Sequence, residues 1–226
     1  FSLSIYAKNE SEPVSVEVTG KGQPIVLIPG FTVPGAIWNP LVKKLEKNYE
    51  CHIVTFAGFG GKEPIEFPWL PKIKESIKNY ILKNNLQNAS IIGHSLGGTI
   101  ATWLAAQKDL KLSKIILIDA LPASGALMIP NFNPDNLIYE SPYNNQQLAM
   151  DAVTFEQTAT AMAKGMSLKK SVQGKIKNWI QEADRKTYVY GYTDYLKLDL
   201  RADLKHITIP VTIIAASQPY GEKVVK

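Results

Sequence analysis

The order of apolar and polar positions divides this chain into short extended runs and longer helical ones. Residues 1–7 and the segment PVSVEV (13–18) alternate apolar and polar side chains, which predicts two antiparallel edge strands. After a turn at KGQ (21–23) comes PIVLIPG, with an unbroken apolar run over 25–28. A run of that kind fits a strand buried on both faces of a parallel sheet. AIWNPLVKKLEK (36–47) places Ile37, Leu41 and Leu45 at helical spacing, and CHIVTF (51–56) predicts the next strand. In LPKIKESIKNYILK the residues Leu70, Ile73, Ile77 and Ile81 share one helical face and lysines fill the other. A strand ASIIGH, a helix LGGTIATWLAAQ and a strand KIILID (114–119) follow. Strands and helices thus alternate from about residue 41 to 119, the signature of βαβ units on a parallel sheet.

The rhythm changes after Asp119. Residues 122–196 contain no run that reads as a buried strand. Polar turns (NFNPDN, ESPYNN) give way to helical spacing over 147–164 and 168–184, and TYVYGYTDY is a tyrosine-dense segment without a clear period. This predicts a mostly helical insertion. LRADLKHI then reads as a short helix, and PVTIIAA (210–216) as a return to the buried parallel strand type. The resulting organisation is a core of residues 1–121 and 197–226 with a helical unit, 122–196, inserted between them.

Composition narrows the class only a little. The chain has 226 residues, 45% hydrophobic and 20% charged, ordinary for a globular protein. No apolar run approaches the ~18 residues that a membrane span needs. The net charge is +5, but the lysines are scattered over helix faces without interleaved aromatics, which does not suggest nucleic-acid binding. Cys51 is the only cysteine, so neither an intrachain disulfide nor a cysteine-based zinc site can form. GFGGKEP lacks the spacing and the hydroxyl residue of a phosphate-binding loop, and no metal-ligand cluster is visible. No cofactor is expected.

The chemistry concentrates in IIGHSLGG. Gly93-His94-Ser95-Leu96-Gly97 matches Gly-x-Ser-x-Gly, the turn that lifts a nucleophilic serine clear of a strand end. By chance alone a chain of this length would show the pattern roughly one time in ten. Here it follows a strand and opens an apolar helix, the context the chemistry needs. An acyl-transfer serine also requires two backbone N–H groups aimed at the developing oxyanion. Leu96, next after the serine, supplies one. Phe31, after the strand-ending Pro29-Gly30, is placed to supply the other.

With IVLIPGF, TFAGFGG, IIGHSLGG and IPVTIIAAS in this order, the chain resembles the α/β-hydrolase superfamily in its capped, single-domain form, over about residues 14–216. The resemblance implies an α/β fold with a mostly parallel sheet, a helical cap inserted after the strand ending at Asp119, Ser95 as nucleophile, and Phe31 and Leu96 as oxyanion donors. It implies a serine hydrolase cleaving a small carboxylic ester or related acyl substrate. Acyl transfer, peptide or carbon–carbon cleavage, and non-catalytic binding of a ligand or partner stay open.

Two departures from the family pattern matter. The acid usually follows the strand after the cap, yet residues 217–222 hold no Asp. Gln218 is the positional match and Glu222 a weaker one, which leaves Asp119, at the end of the preceding strand, as the candidate acid. The base is a histidine still further on. His52, His94 and His206 all fall at the wrong places, so the resemblance puts the histidine beyond Lys226 and the chain is expected to be part of a longer polypeptide. Met150, Phe155 and Met162 of the cap, with Met166, are candidate pocket residues for an apolar acyl or alcohol group. The expected partner is a small-molecule substrate; oligomeric state and compartment are left open.

Overall fold

The computed structural model describes residues 11–216. The edge strand expected over 1–7 and the loop bearing Gln218 and Glu222 lie outside them. Six strands form one sheet: β1 (Val14–Gly20), β2 (Gln23–Ile28), β3 (Tyr49–Phe56), β4 (Ala89–His94), β5 (Leu112–Ile118) and β6 (Val211–Ile214), in the order β1-β3-β2-β4-β5-β6. Among the described residues only β1 runs antiparallel, paired to β3 from Val14 opposite Phe56 to Gly20 opposite Glu50; the other four pairings are parallel. Among the described residues the alternating segment 13–18 is an edge strand, and the continuous apolar runs of β2, β3 and β4 are interior strands. Ile25, Val26, Leu27 and Ile28 are all buried, as side chains on both faces of a covered sheet must be.

The crossovers between parallel strands are helical. α1 (Asn39–Leu45) follows a 3-10 turn at Gly35–Trp38, so the helix expected over 36–47 is divided in two. Pro40 near the start of α1 fits there because the first helical N–H groups have no intrahelical partner. α2 (Trp69–Lys83) buries Leu70, Ile73, Ile77 and Ile81, the face the sequence marks out. α3 (Leu96–Ala105) leaves β4 directly through the serine.

Between β5 and β6 lie five helices: α4 (Ser124–Met128), α5 (Pro142–Ala149), α6 (Ala152–Met166), α7 (Lys170–Glu182) and α8 (Arg185–Lys197). The chain is thus a mostly parallel α/β sheet with a helical cap inserted after the strand that ends at Asp119. Three expectations are corrected in this region. The helix expected over 147–164 breaks at Met150-Asp151, because Asp151 starts a new helix by accepting the Thr154 N–H at 2.7 Å, a standard N-cap. The tyrosine-dense segment is helix α8, started by Asp184, whose carboxylate accepts the Thr187 N–H and hydroxyl at 2.7 and 2.6 Å. The short helix expected in LRADLKHI is a turn with a single 3-10 turn at Leu204–His206.

β6 pairs in parallel with β5, as its apolar run predicts.

Candidate active site

Three adjacent strands deliver the candidate residues. β2 ends at Pro29-Gly30-Phe31, β4 at Ser95 and β5 at Asp119, and β4 lies between β2 and β5. Neighbouring strands are spaced about 4.8 Å apart, so three carboxyl-terminal ends fall within about 10 Å. Ligands of open α/β sheets bind at this edge.

Ser95 sits at φ 52°, ψ −122°, a conformation that residues with a Cβ adopt only when their surroundings enforce it. The enforcement is visible. Ser95 N donates to Ile118 O at 2.9 Å, and Ser95 O accepts from the N–H groups of Gly98 and Thr99 at 2.9 and 3.1 Å. The flanking glycines allow the turn to close. A Cβ on Gly93 would stand 2.3 Å from Gly97 O, and one on Gly97 would stand 2.2 Å from Ile28 O and 2.4 Å from Pro29 O. Both contacts are with backbone, so no side chain fits at either position.

The second loop lies against the elbow. A Cβ on Gly30 would come within 3.4 Å of Ser95 Cβ and 2.9 Å of His94 Nδ1. Neither Phe31 N nor Leu96 N donates to a described residue. Among the described residues both N–H groups are thus without a partner, Leu96 at the start of α3, where the helix leaves its first N–H groups unpaired, and Phe31 in the loop after β2.

Asp119 is also held with a positive φ, 47°. Its N–H donates to Ile214 O at 2.9 Å, and its Oδ1 accepts the Ala216 N–H at 2.5 Å. The carboxylate is therefore tied to the end of β6 by one oxygen. It also acts on His94. Burial pushes the His94 imidazole below its usual range, and the Asp119 charge pulls partly the other way.

The remaining histidines are engaged elsewhere. His52 is buried, with Nδ1 2.8 Å from the Tyr80 hydroxyl and Nε2 2.9 Å from Glu50. His206 is exposed beside β6. Among the described residues no side chain hydrogen-bonds to Ser95 Oγ. None of them forms a group of three or more His, Cys, Asp and Glu side chains able to hold a metal ion.

The cap closes over Phe31. The Phe31 ring makes edge or tilted contacts with Phe59 (4.9 Å between centroids), Trp69 (5.9 Å), Tyr188 (6.2 Å) and Tyr192 (5.5 Å). Tyr188 donates its hydroxyl to Met162 Sδ at 3.0 Å, and burial raises its pKa to about 12, so it stays protonated. Phe155 is buried beneath the Arg185 guanidinium, 3.5 Å from its ring centroid, and packs edge-on to Tyr188. Met150 is half-buried and accepts from the Thr158 hydroxyl, whereas Met166 is exposed. Of the cap residues proposed from sequence, Met162 reaches the Phe31 cluster through Tyr188, and Phe155 sits one ring behind it. Tyr188 and Tyr192 were missed, although 188, 192 and 195 lie at i, i+4 and i+7, the spacing of one helix face.

A family model described as the alpha/beta hydrolase fold matches residues 23–218. The chain belongs to this family, as an esterase-like hydrolase. It is 26% identical over 201 residues to a pimeloyl-[acyl-carrier protein] methyl ester esterase of Vibrio cholerae, covering 86% of this chain and 75% of that protein. The protein of the same name from Aeromonas hydrophila is 28% identical over 207 residues, with 87% and 77% covered. Among solved structures, an esterase from Exiguobacterium antarcticum superposes with a TM-score of 0.70 at 21% identity, over 88% of this chain and 75% of that one.

Proposed function

We propose that the chain hydrolyses a small carboxylic ester through an acyl-enzyme on Ser95. The observation that carries this reading is the strained Ser95 at the end of β4, next to Leu96 and against the Gly30-Phe31 loop, whose N–H groups at 96 and 31 have no partner among the described residues. Ser95 Oγ attacks the ester carbonyl, and the oxyanion forms against Phe31 N–H and Leu96 N–H. Collapse expels the alcohol and leaves an acyl group on Oγ, which water then removes. The serine proton passes to a general base that is none of His52, His94 and His206 and comes from outside the described residues. Asp119 is the proposed acid: Oδ1 is fixed by Ala216 N–H, and the second oxygen is left to orient the protonated base. The unit 122–196 acts as the substrate-facing cap, with Met162 and, behind it, Phe155 and Met150 making its apolar side. The substrate is small, of the class to which a methyl ester belongs. The relatives' names support that class, and the aromatic wall of Phe31, Tyr188 and Tyr192 suits an apolar acyl or alcohol group.

A fluorophosphonate probe tests the reading. The expected result is a single adduct on the peptide containing Ser95, absent in Ser95→Ala. A folded, full-length protein that takes no adduct would remove the nucleophile and leave a binding protein with hydrolase architecture.

A further inference from the structure

The turn joining α6 to α7 carries a feature that neither packing nor the proposed chemistry uses. Leu168 is 92% exposed and Met166 is 59% exposed. Two bulky apolar side chains are therefore left to solvent within three residues, at the turn between α6 and α7. The apex is tied down: the Ser167 hydroxyl accepts from Lys169 N at 3.2 Å, and Ser167 O accepts from Gln173 Nε2 at 2.7 Å. Lysines surround it. Lys164, Lys169, Lys170 and Lys175 are exposed, and the sequence holds no Asp or Glu from residue 157 to 181. Lys177 is the lysine of this stretch that finds an acid, Glu156, at 2.9 Å.

Lys164, in the last turn of α6, suits the helix dipole, but local stability does not explain Lys169 and Lys170. Lys169 is the N-cap of α7 and Lys170 its first residue; the helix has no acidic residue in its first turn and no side-chain cap. Positive charge there opposes the helix dipole. An apolar tip collared by basic groups instead matches the surface of an anionic bilayer, where apolar side chains enter the headgroup boundary and lysines meet lipid phosphates.

We propose that the α6–α7 apex docks the cap onto membranes containing anionic phospholipid, with Met166 and Leu168 inserted and the four lysines on the headgroups. The joint presence of two exposed apolar side chains and exposed lysines favours an anionic lipid surface over a purely charged partner. Among the described residues no helix is long and apolar enough to cross a membrane; the contact proposed at this apex is itself a surface contact.

The test is co-sedimentation of the full chain with vesicles of phosphatidylcholine alone, or of phosphatidylcholine mixed with phosphatidylglycerol. The expected result is binding to the mixed vesicles only, lost at high salt. Lys169→Gln and Lys170→Gln should each weaken it roughly fivefold, and Leu168→Ser should weaken it further, with melting temperatures unchanged. Leu168→Trp should shift its emission to the blue on mixed vesicles. The proposal is overturned if the chain stays in the supernatant with both vesicle types. It is overturned equally if binding ignores all three substitutions, or if the chain binds soluble polyglutamate through the same lysines but not the vesicles.

Discussion

Ser95 and Asp119 both hold backbone conformations with positive φ, and each is locked by hydrogen bonds from neighbouring strands. For Asp119 this gives a clean test. Asp119→Asn keeps an oxygen to accept the Ala216 N–H but removes the charge. If the carboxylate orients the base, kcat should fall by about 10⁴ with little change in stability. If it only anchors β6, kcat should stay within a few-fold, while Asp119→Ala lowers the melting temperature. His94 makes a second prediction. Because its folded pKa is depressed by burial, the unfolded chain takes up a proton first as pH falls. Its contribution to stability is present above the unfolded value, near 6.5, and is lost below it. The melting temperature should therefore drop between pH 8 and pH 5, and His94→Gln should flatten part of that drop.

At the scale of elements, one carboxylate ties the cap to helix α2. Asp194 of α8 accepts the Trp69 and Leu70 N–H groups at 2.7 and 3.0 Å, and its other oxygen accepts the Tyr139 hydroxyl at 2.5 Å. It thus caps α2 from a different part of the chain, a role usually filled by the residue before the helix. Pro68 stands at that position and makes no side-chain cap. Asp194→Ala should cost about 1–2 kcal/mol, read as a lower urea midpoint at unchanged slope, and Asp194→Asn should recover part of it. No local pattern discloses this cap, since its two partners are 125 residues apart.

Across the whole molecule, one apolar cluster runs from the sheet (Val26, Ile91) through Trp69 and Leu96 to the cap (Phe155, Ile180, Tyr188). Core and cap should therefore melt together. Phe155→Ala should cost about 3–5 kcal/mol, with near- and far-ultraviolet dichroism still showing one coincident transition. The same continuity explains what the sequence could and could not disclose. Apolar runs and the Gly-x-Ser-x-Gly turn depend on nearest neighbours along the chain, so β2, β3, β4, α2 and Ser95 were legible. The tie between Asp119 and Ala216 spans 97 residues, and no local period reports it.

Cys51, the chain's single cysteine, is fully buried in β3, and burial raises its thiol pKa. Such a thiol is slow toward alkylating reagents. A cysteine placed at any exposed position would then be the one reactive handle on the native protein, without first removing Cys51. Spin labels or fluorophores set at Leu168 or on the outer face of α8 could follow the cap directly, in the otherwise unaltered protein.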